Sequence, residues 1–194
     1  MVMNRLHFLF PLLFLFACGQ SPSGRAPLEG AKMGGAFALT GEDGKTVHES
    51  DFKGQYRLVY FGYTFCPDVC PVDVQKLMLG LKSFEKKDAA RAGKVQPLFI
   101  TVDPERDTPA ALRSFTDAFH PRLIGLTGSP AAIGEAARAY GVYYQKSPGT
   151  TPGAYLVDHS RAATLYGPDG APIAFIRESG SPQEIASELG RWVK

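Results

Sequence analysis

Two of the three cysteines in this 194-residue chain, Cys66 and Cys70, stand in the run Tyr60-Phe61-Gly62-Tyr63-Thr64-Phe65-Cys66-Pro67-Asp68-Val69-Cys70-Pro71. Two thiols so placed can bind a soft metal, exchange electrons, or cross-link a loop. A structural cross-link is the weakest option, because the entropic benefit of a disulfide grows with loop length and this loop is very short. An apolar, strand-like run leads into the pair and a helix-like pattern follows it. Cys70, Pro71 and Asp73 read as a helix start, where unpaired N–H groups and the dipole stabilise an anion. The expectation is a Cys70 thiol with a lowered pKa. Thiolates bind Cu(I), and an added imidazole also admits Cu(II). With two thiolates and one neutral histidine the ligand set carries −2, so either copper state leaves the site near neutrality.

Three histidines outside the N-terminal segment are candidates for that imidazole. His159 follows an apolar strand in Tyr155-Leu156-Val157-Asp158-His159-Ser160, at an expected loop position where Asp158 can orient the ring. His120, in Phe119-His120-Pro121, ends a helical pattern and reads as a capping or surface residue. His48 lies in a polar segment and reads as exposed. Position alone favours His159.

The elements that must hold these residues alternate. Leu58–Phe61 and Leu98–Val102 are near-continuous hydrophobic runs, the pattern of strands covered on both faces. Between them Val74, Leu77, Met78, Leu81 and Phe84 recur at helical spacing. Further helices start at Asp107-Thr108-Pro109, at Ser129-Pro130 and at Ser181-Pro182, the last with Glu184 completing a capping box. Short strands are expected at Leu123–Leu126, Val142–Gln145 and Tyr155–Val157. A hairpin is expected to pair Ala163–Tyr166 with Ile173–Ile176 around Gly167-Pro168-Asp169-Gly170. This order predicts an α/β sandwich with a central mixed sheet flanked by helices, plus a C-terminal β-hairpin and helix. Ligands in such sheets sit beyond the carboxyl ends of the central strands. Cys66 and Asp103 both fall there.

The N-terminus reads as a targeting segment. Arg5 precedes an apolar stretch from Leu6 to Ala17, too short for the roughly 20 residues that span a bilayer. Leu15-Phe16-Ala17-Cys18-Gly19 resembles a lipobox, with Phe16 larger than the usual residue. Residues 1–17 are thus expected to be a lipoprotein signal peptide, with Cys18 lipidated and residues 18–32, rich in Ser, Pro, Gly and Ala, a flexible tether. Residues 33–194 are then one domain with one core. This places the protein in a bacterial cell envelope, membrane-tethered through the lipid and facing the periplasm. A formal net charge of +2 argues against a nucleic-acid partner.

The run from Tyr60 to Pro71 resembles a signature of the Sco/SenC family of copper-handling proteins. So do Phe99-Ile100-Thr101-Val102-Asp103-Pro104-Glu105-Arg106-Asp107-Thr108-Pro109, the run Phe119-His120-Pro121-Arg122-Leu123-Ile124-Gly125-Leu126-Thr127-Gly128, and Tyr155-Leu156-Val157-Asp158-His159-Ser160. The four blocks occur in family order. The resemblance implies a thioredoxin-like fold and one copper ion per chain, Cu(I) or Cu(II), held by Cys66, Cys70 and His159. It further implies delivery to the binuclear copper centre of cytochrome c oxidase during assembly. The partners implied are the copper-bearing subunit of a terminal oxidase and an upstream periplasmic copper donor. Arg161-Ala162-Ala163 departs from the more apolar sequence of relatives, and is expected to touch the hairpin rather than the ligands.

Metallochaperone and thiol–disulfide oxidoreductase both remain open at this stage. In the second, Cys66 attacks and Cys70 resolves, forming a redox-active pair that reduces the oxidase cysteines. The three-residue spacing and His159 favour the first. A zinc enzyme or a peroxidase fits less well, since no general base, substrate pocket or dedicated peroxidatic site is evident. Asp107–Pro109 reads as a helix cap, with the roles of Asp103 and Arg106 open. Tyr63 and Phe65 beside the pair are candidates for an apolar docking rim, with core packing expected for at least one.

Overall fold

The computed structural model describes residues 24–149 and 154–194. Cys18, the signal segment and the start of the tether lie outside the described residues. No helix among those described is long and apolar enough to cross a membrane.

Continuous apolar sequence produces the centre of the molecule. β3 (Tyr56–Gly62) is buried along its whole length, and β4 (Val95–Thr101) nearly so, because both faces are covered. They pair in parallel, Tyr60 opposite Phe99, joined by α1 (Val69–Lys87) and the short α2 (Ala89–Ala92). A hairpin of β1 (Ala38–Gly41) and β2 (Thr46–His48) forms one edge, followed after β4 by α3 (Pro109–Asp117), β5 (Ile124–Thr127) and α4 (Pro130–Ala139). Two strands, β6 (Tyr144–Pro148) and β7 (Tyr155–His159), form a separate antiparallel ribbon. The chain ends in β8 (Ala163–Tyr166), β9 (Pro172–Ile176) and α5 (Pro182–Trp192). The main sheet has seven strands in the order β2-β1-β5-β4-β3-β8-β9, mixed as expected.

The helix caps follow the sequence signals. Thr108, Ser129 and Ser181 each accept a hydrogen bond from the N–H three residues on, and each precedes a proline in the first turn. Leu77, Leu81 and Phe84 of α1 are buried, each contributing about 1.5–3 kcal/mol by leaving water. α1 and α5 approach so closely that a Cβ on Gly80 would stand 2.2 Å from the Ile185 side chain. That contact fixes α1, and with it the cysteines at its start.

Three features differ from the sequence expectations. The polar, short β1–β2 hairpin carries no strong periodic signal and was not anticipated. β6 starts at Tyr144 rather than Val142, and β7 runs on to His159 because Tyr144 pairs with it. His159 therefore ends a strand instead of sitting in a loop. Within the segment read as a tether, Leu28 N–H donates to the Ile173 carbonyl at 3.0 Å, tying that stretch to β9.

Candidate metal centre

β3 ends at Gly62, and the loop that follows carries Cys66 across to α1, where Cys70 is the second residue. A Cβ on Gly62 would lie 3.3 Å from the Cys70 sulfur and closer still to the Tyr60 and Phe99 rings. The absent side chain is what lets this sulfur settle against the strand end. Cys70 is fully buried and Cys66 is 9% exposed; both are free thiols. His159 Nε2 stands 3.0 Å from Cys70 Sγ although 89 residues separate them in sequence. Cys66 Sγ accepts the Cys70 backbone N–H at 3.4 Å. Among the described residues no group of three His, Cys, Asp or Glu side chains is placed to hold a metal ion together. Cys70 and His159 already meet, and Cys66 is turned toward the helix amide at the mouth of a groove that Leu156, Val69 and Arg161 also line.

This geometry corrects the expected electrostatics. Burial pushes the Cys70 thiol above its ordinary value, and the nearby Cys66 and Asp73 add to the effect. Desolvation outweighs the helix dipole, so Cys70 is a neutral thiol in the metal-free protein. The helix-start N–H is spent on Cys66 instead. His159 is pushed below the ordinary histidine value by burial, against the pull of the Ser160 carbonyl and Asp73. Its Nδ1 lies 2.9 Å from the Ser160 carbonyl oxygen, which can only accept. Nδ1 therefore carries the proton, and Nε2 offers its lone pair to Cys70 S–H. Ser160, not the exposed Asp158, orients the ring. The rings of Tyr60 and Tyr63 meet the imidazole edge-on at 6.2 and 6.0 Å.

The Asp103–Pro109 block positions the cysteine loop. Thr108 is the cap of α3, whereas the buried Asp107 does something unanticipated. Its carboxylate accepts from Thr64 N–H at 3.0 Å, from Thr64 Oγ1 at 2.6 Å and from Thr101 Oγ1 at 2.6 Å. It clamps the start of the Cys66 loop to the end of β4; burial raises its pKa even so. Arg106 pairs with the buried Asp103, donates to the Tyr155 carbonyl at 3.1 Å, and stacks 3.7 Å over the Tyr155 ring. Tyr155 OH donates back to Asp103 at 2.8 Å. These two residues anchor the start of β7 and do not reach the sulfurs. Tyr63 is buried, and Phe65, 55% exposed, stands on the rim.

His120 is neither capping nor on the surface. It is 2% exposed, accepts from Arg122 N–H at Nδ1 and faces Glu85 through Nε2. His48 is exposed. The departure at Arg161 also proves closer to the ligands than expected. Arg161 reaches back to α1 and grips the buried Asp73 with two nitrogens, at 2.9 and 2.7 Å.

A strand–loop–helix dithiol beside a histidine, on a mixed sheet with a parallel centre flanked by helices, defines a thioredoxin-like protein. The sequence profile of the SCO1/SenC family matches residues 25–194, and the chain belongs to that family. It is 43% identical over 157 residues to the mitochondrial protein SCO2 homolog of Bos taurus, covering 81% of this chain and 58% of that protein. Protein SenC of Rhodobacter capsulatus is 41% identical over 161 residues, covering 82% of this chain and 70% of its own length. The chain thus spans about three fifths of the first and more of the second. A structure described as Bradyrhizobium japonicum ScoI with copper bound superposes with a TM-score of 0.75 at 39% identity, covering 83% of this chain and 99% of that one.

Proposed function

We propose that this protein is a copper metallochaperone that takes up one copper ion through Cys66, Cys70 and His159 and delivers it to the binuclear copper centre of cytochrome c oxidase. The observation that carries this reading is the 3.0 Å contact between Cys70 Sγ and His159 Nε2. A thiol proton there occupies the place a soft metal would take, with the imidazole lone pair already aimed at it. Copper fits because two sulfurs satisfy Cu(I), while the added nitrogen accommodates Cu(II). Zn²⁺ also accepts this donor set, but a two-thiolate site favours the softer copper ion. Delivery proceeds by ligand exchange with the copper-bearing subunit of the oxidase, after loading from an upstream periplasmic donor. Lipid on Cys18 holds the protein at the membrane of the bacterial cell envelope, facing the periplasm.

Anaerobic titration of the reduced protein tests this. The expected result is one tightly bound copper per chain and a sulfur-to-Cu(II) charge-transfer band that disappears in Cys70→Ser. Substoichiometric binding that survives Cys70→Ser would overturn it.

A second reading rests on the two free thiols and their unequal exposure. Cys66 is the more accessible, and the Cys70 N–H stabilises charge on its sulfur. Attack by Cys66 on a disulfide of the oxidase copper domain would give a mixed disulfide, which Cys70 resolves. The pair then ends as a Cys66–Cys70 disulfide, and two electrons and two protons pass to the partner's cysteines. Rapid reduction of an oxidase copper-domain peptide without copper would favour this role.

A further inference from the structure

We infer that the Asp73–Arg161 ion pair is a positioning device that sets His159 against Cys70 and thereby governs Cu(II) binding; the inference rests on the copper reading above. Asp73 lies three residues after Cys70 on α1, and Arg161 lies two residues after His159 where β7 leaves the ribbon. The pair therefore bridges the two backbones that bring the sulfur and the imidazole together. Its geometry is two-pronged: Arg161 Nε donates to Asp73 Oδ2 at 2.9 Å and Nη2 to Oδ1 at 2.7 Å. Asp73 is 1% exposed and also accepts Tyr60 OH at 3.0 Å, so its position is fixed from the core side. Tyr60 in turn sets its ring edge-on to His159. Arg161 is half-exposed at its outer end and lines the groove beside Cys66 and His159.

Chemistry separates this role from simple bracing. Two thiolates satisfy Cu(I), whereas Cu(II) depends on the imidazole. Loosening β7 from α1 therefore falls on Cu(II). Loss of the Arg161 charge alone acts in the opposite direction: it falls harder on the Cu(I) site, which carries −1, than on the neutral Cu(II) site. A role confined to stability lowers the melting temperature and leaves the ratio of the two affinities alone. Lysine keeps the charge but lacks the planar fork.

The test uses the reduced full chain, titrated with Cu(II) and, under a Cu(I) competitor, with Cu(I). Arg161→Ala is expected to lower Cu(II) affinity about tenfold and to shift the charge-transfer band, with Cu(I) affinity changed less than about threefold. Arg161→Lys recovers part of the loss and keeps the protein testable if the alanine variant unfolds. Combined with His159→Ala, Arg161→Ala adds no further loss, because the ligand it positions is gone. Unchanged Cu(II) affinity and spectrum in Arg161→Ala, a larger loss for Cu(I), a fall in melting temperature alone, or additive losses in the double variant each overturn the inference. A wild-type spectrum that His159→Ala leaves unaltered overturns the copper reading along with it.

Discussion

His159, half-buried, and His120, fully buried, are held as opposite tautomers. At His159 the Ser160 carbonyl takes the Nδ1 proton, so Nε2 presents a lone pair to sulfur. At His120 the Arg122 N–H donates to Nδ1, so Nε2 keeps its proton and donates a hydrogen bond to Glu85. Burial drives both below the ordinary histidine value, so both are neutral near pH 7. What separates the proposed ligand from the brace is therefore not charge, but which backbone group meets Nδ1. His120, Glu85 and Arg122 lock α1 to the β5 approach, while the same ring with its partners reversed is free to hold a metal.

The comparison breaks first under substitution. His159→Ala is expected to lower Cu(II) affinity by at least about a hundredfold, whereas His120→Ala leaves it within about threefold, as read by competition titration. Equal losses would erase the distinction. Stability gives the converse: His120→Ala leaves Arg122 N–H and Glu85 with unmet partners and should cost about 2 kcal/mol in urea unfolding. His159→Ala should cost less, since β7 is half-buried. Acidity acts on both histidines alike. Their folded pKa values lie below the ordinary 6.5 of histidine, so below that pH the unfolded chain binds more protons and metal-free stability falls. Metal binding also weakens with acid, because the raised Cys70 thiol must give up its proton. Apparent affinity is expected to rise about tenfold per pH unit for that proton between pH 6 and 8. The smallest effect sharpens the tautomer argument. Asp158→Asn should change Cu(II) affinity less than about twofold, because Asp158 is exposed and Ser160 orients the ring.

The fold was legible where one residue type dominates a run. Leu58–Phe61 and Leu98–Val102 announced β3 and β4, and the prolines and cap residues announced the helix starts. Cys66 and Cys70 were legible from spacing and context, and the family blocks raised His159 above His120. What the sequence concealed depends on partners far along the chain. Asp107 looks like a cap, yet its ligands include Thr64, 43 residues away. Arg161 looks like a hairpin residue, yet it meets Asp73 across 88 positions. The Cys70 thiol was misjudged for a related reason. Helix position is local and visible, but the burial that overrides it is assembled from Gly62, Tyr60 and the whole of β3.

The ribbon of β6 and β7 has a consequence for the order of release. It pairs with no strand of the main sheet, and Val157 is its one buried residue. Two-stranded ribbons are marginal by themselves. Its amides should exchange with deuterium well before those of β3 and β4, whose opening requires the whole domain to unfold. The imidazole thus rides on the ribbon that opens first, while Cys70 is fully buried at the start of α1, packed against the end of β3. On the copper reading proposed above, an ion held there would lose its nitrogen first and its sulfurs last, and would meet an acceptor's cysteines as a two-sulfur ion with one open side.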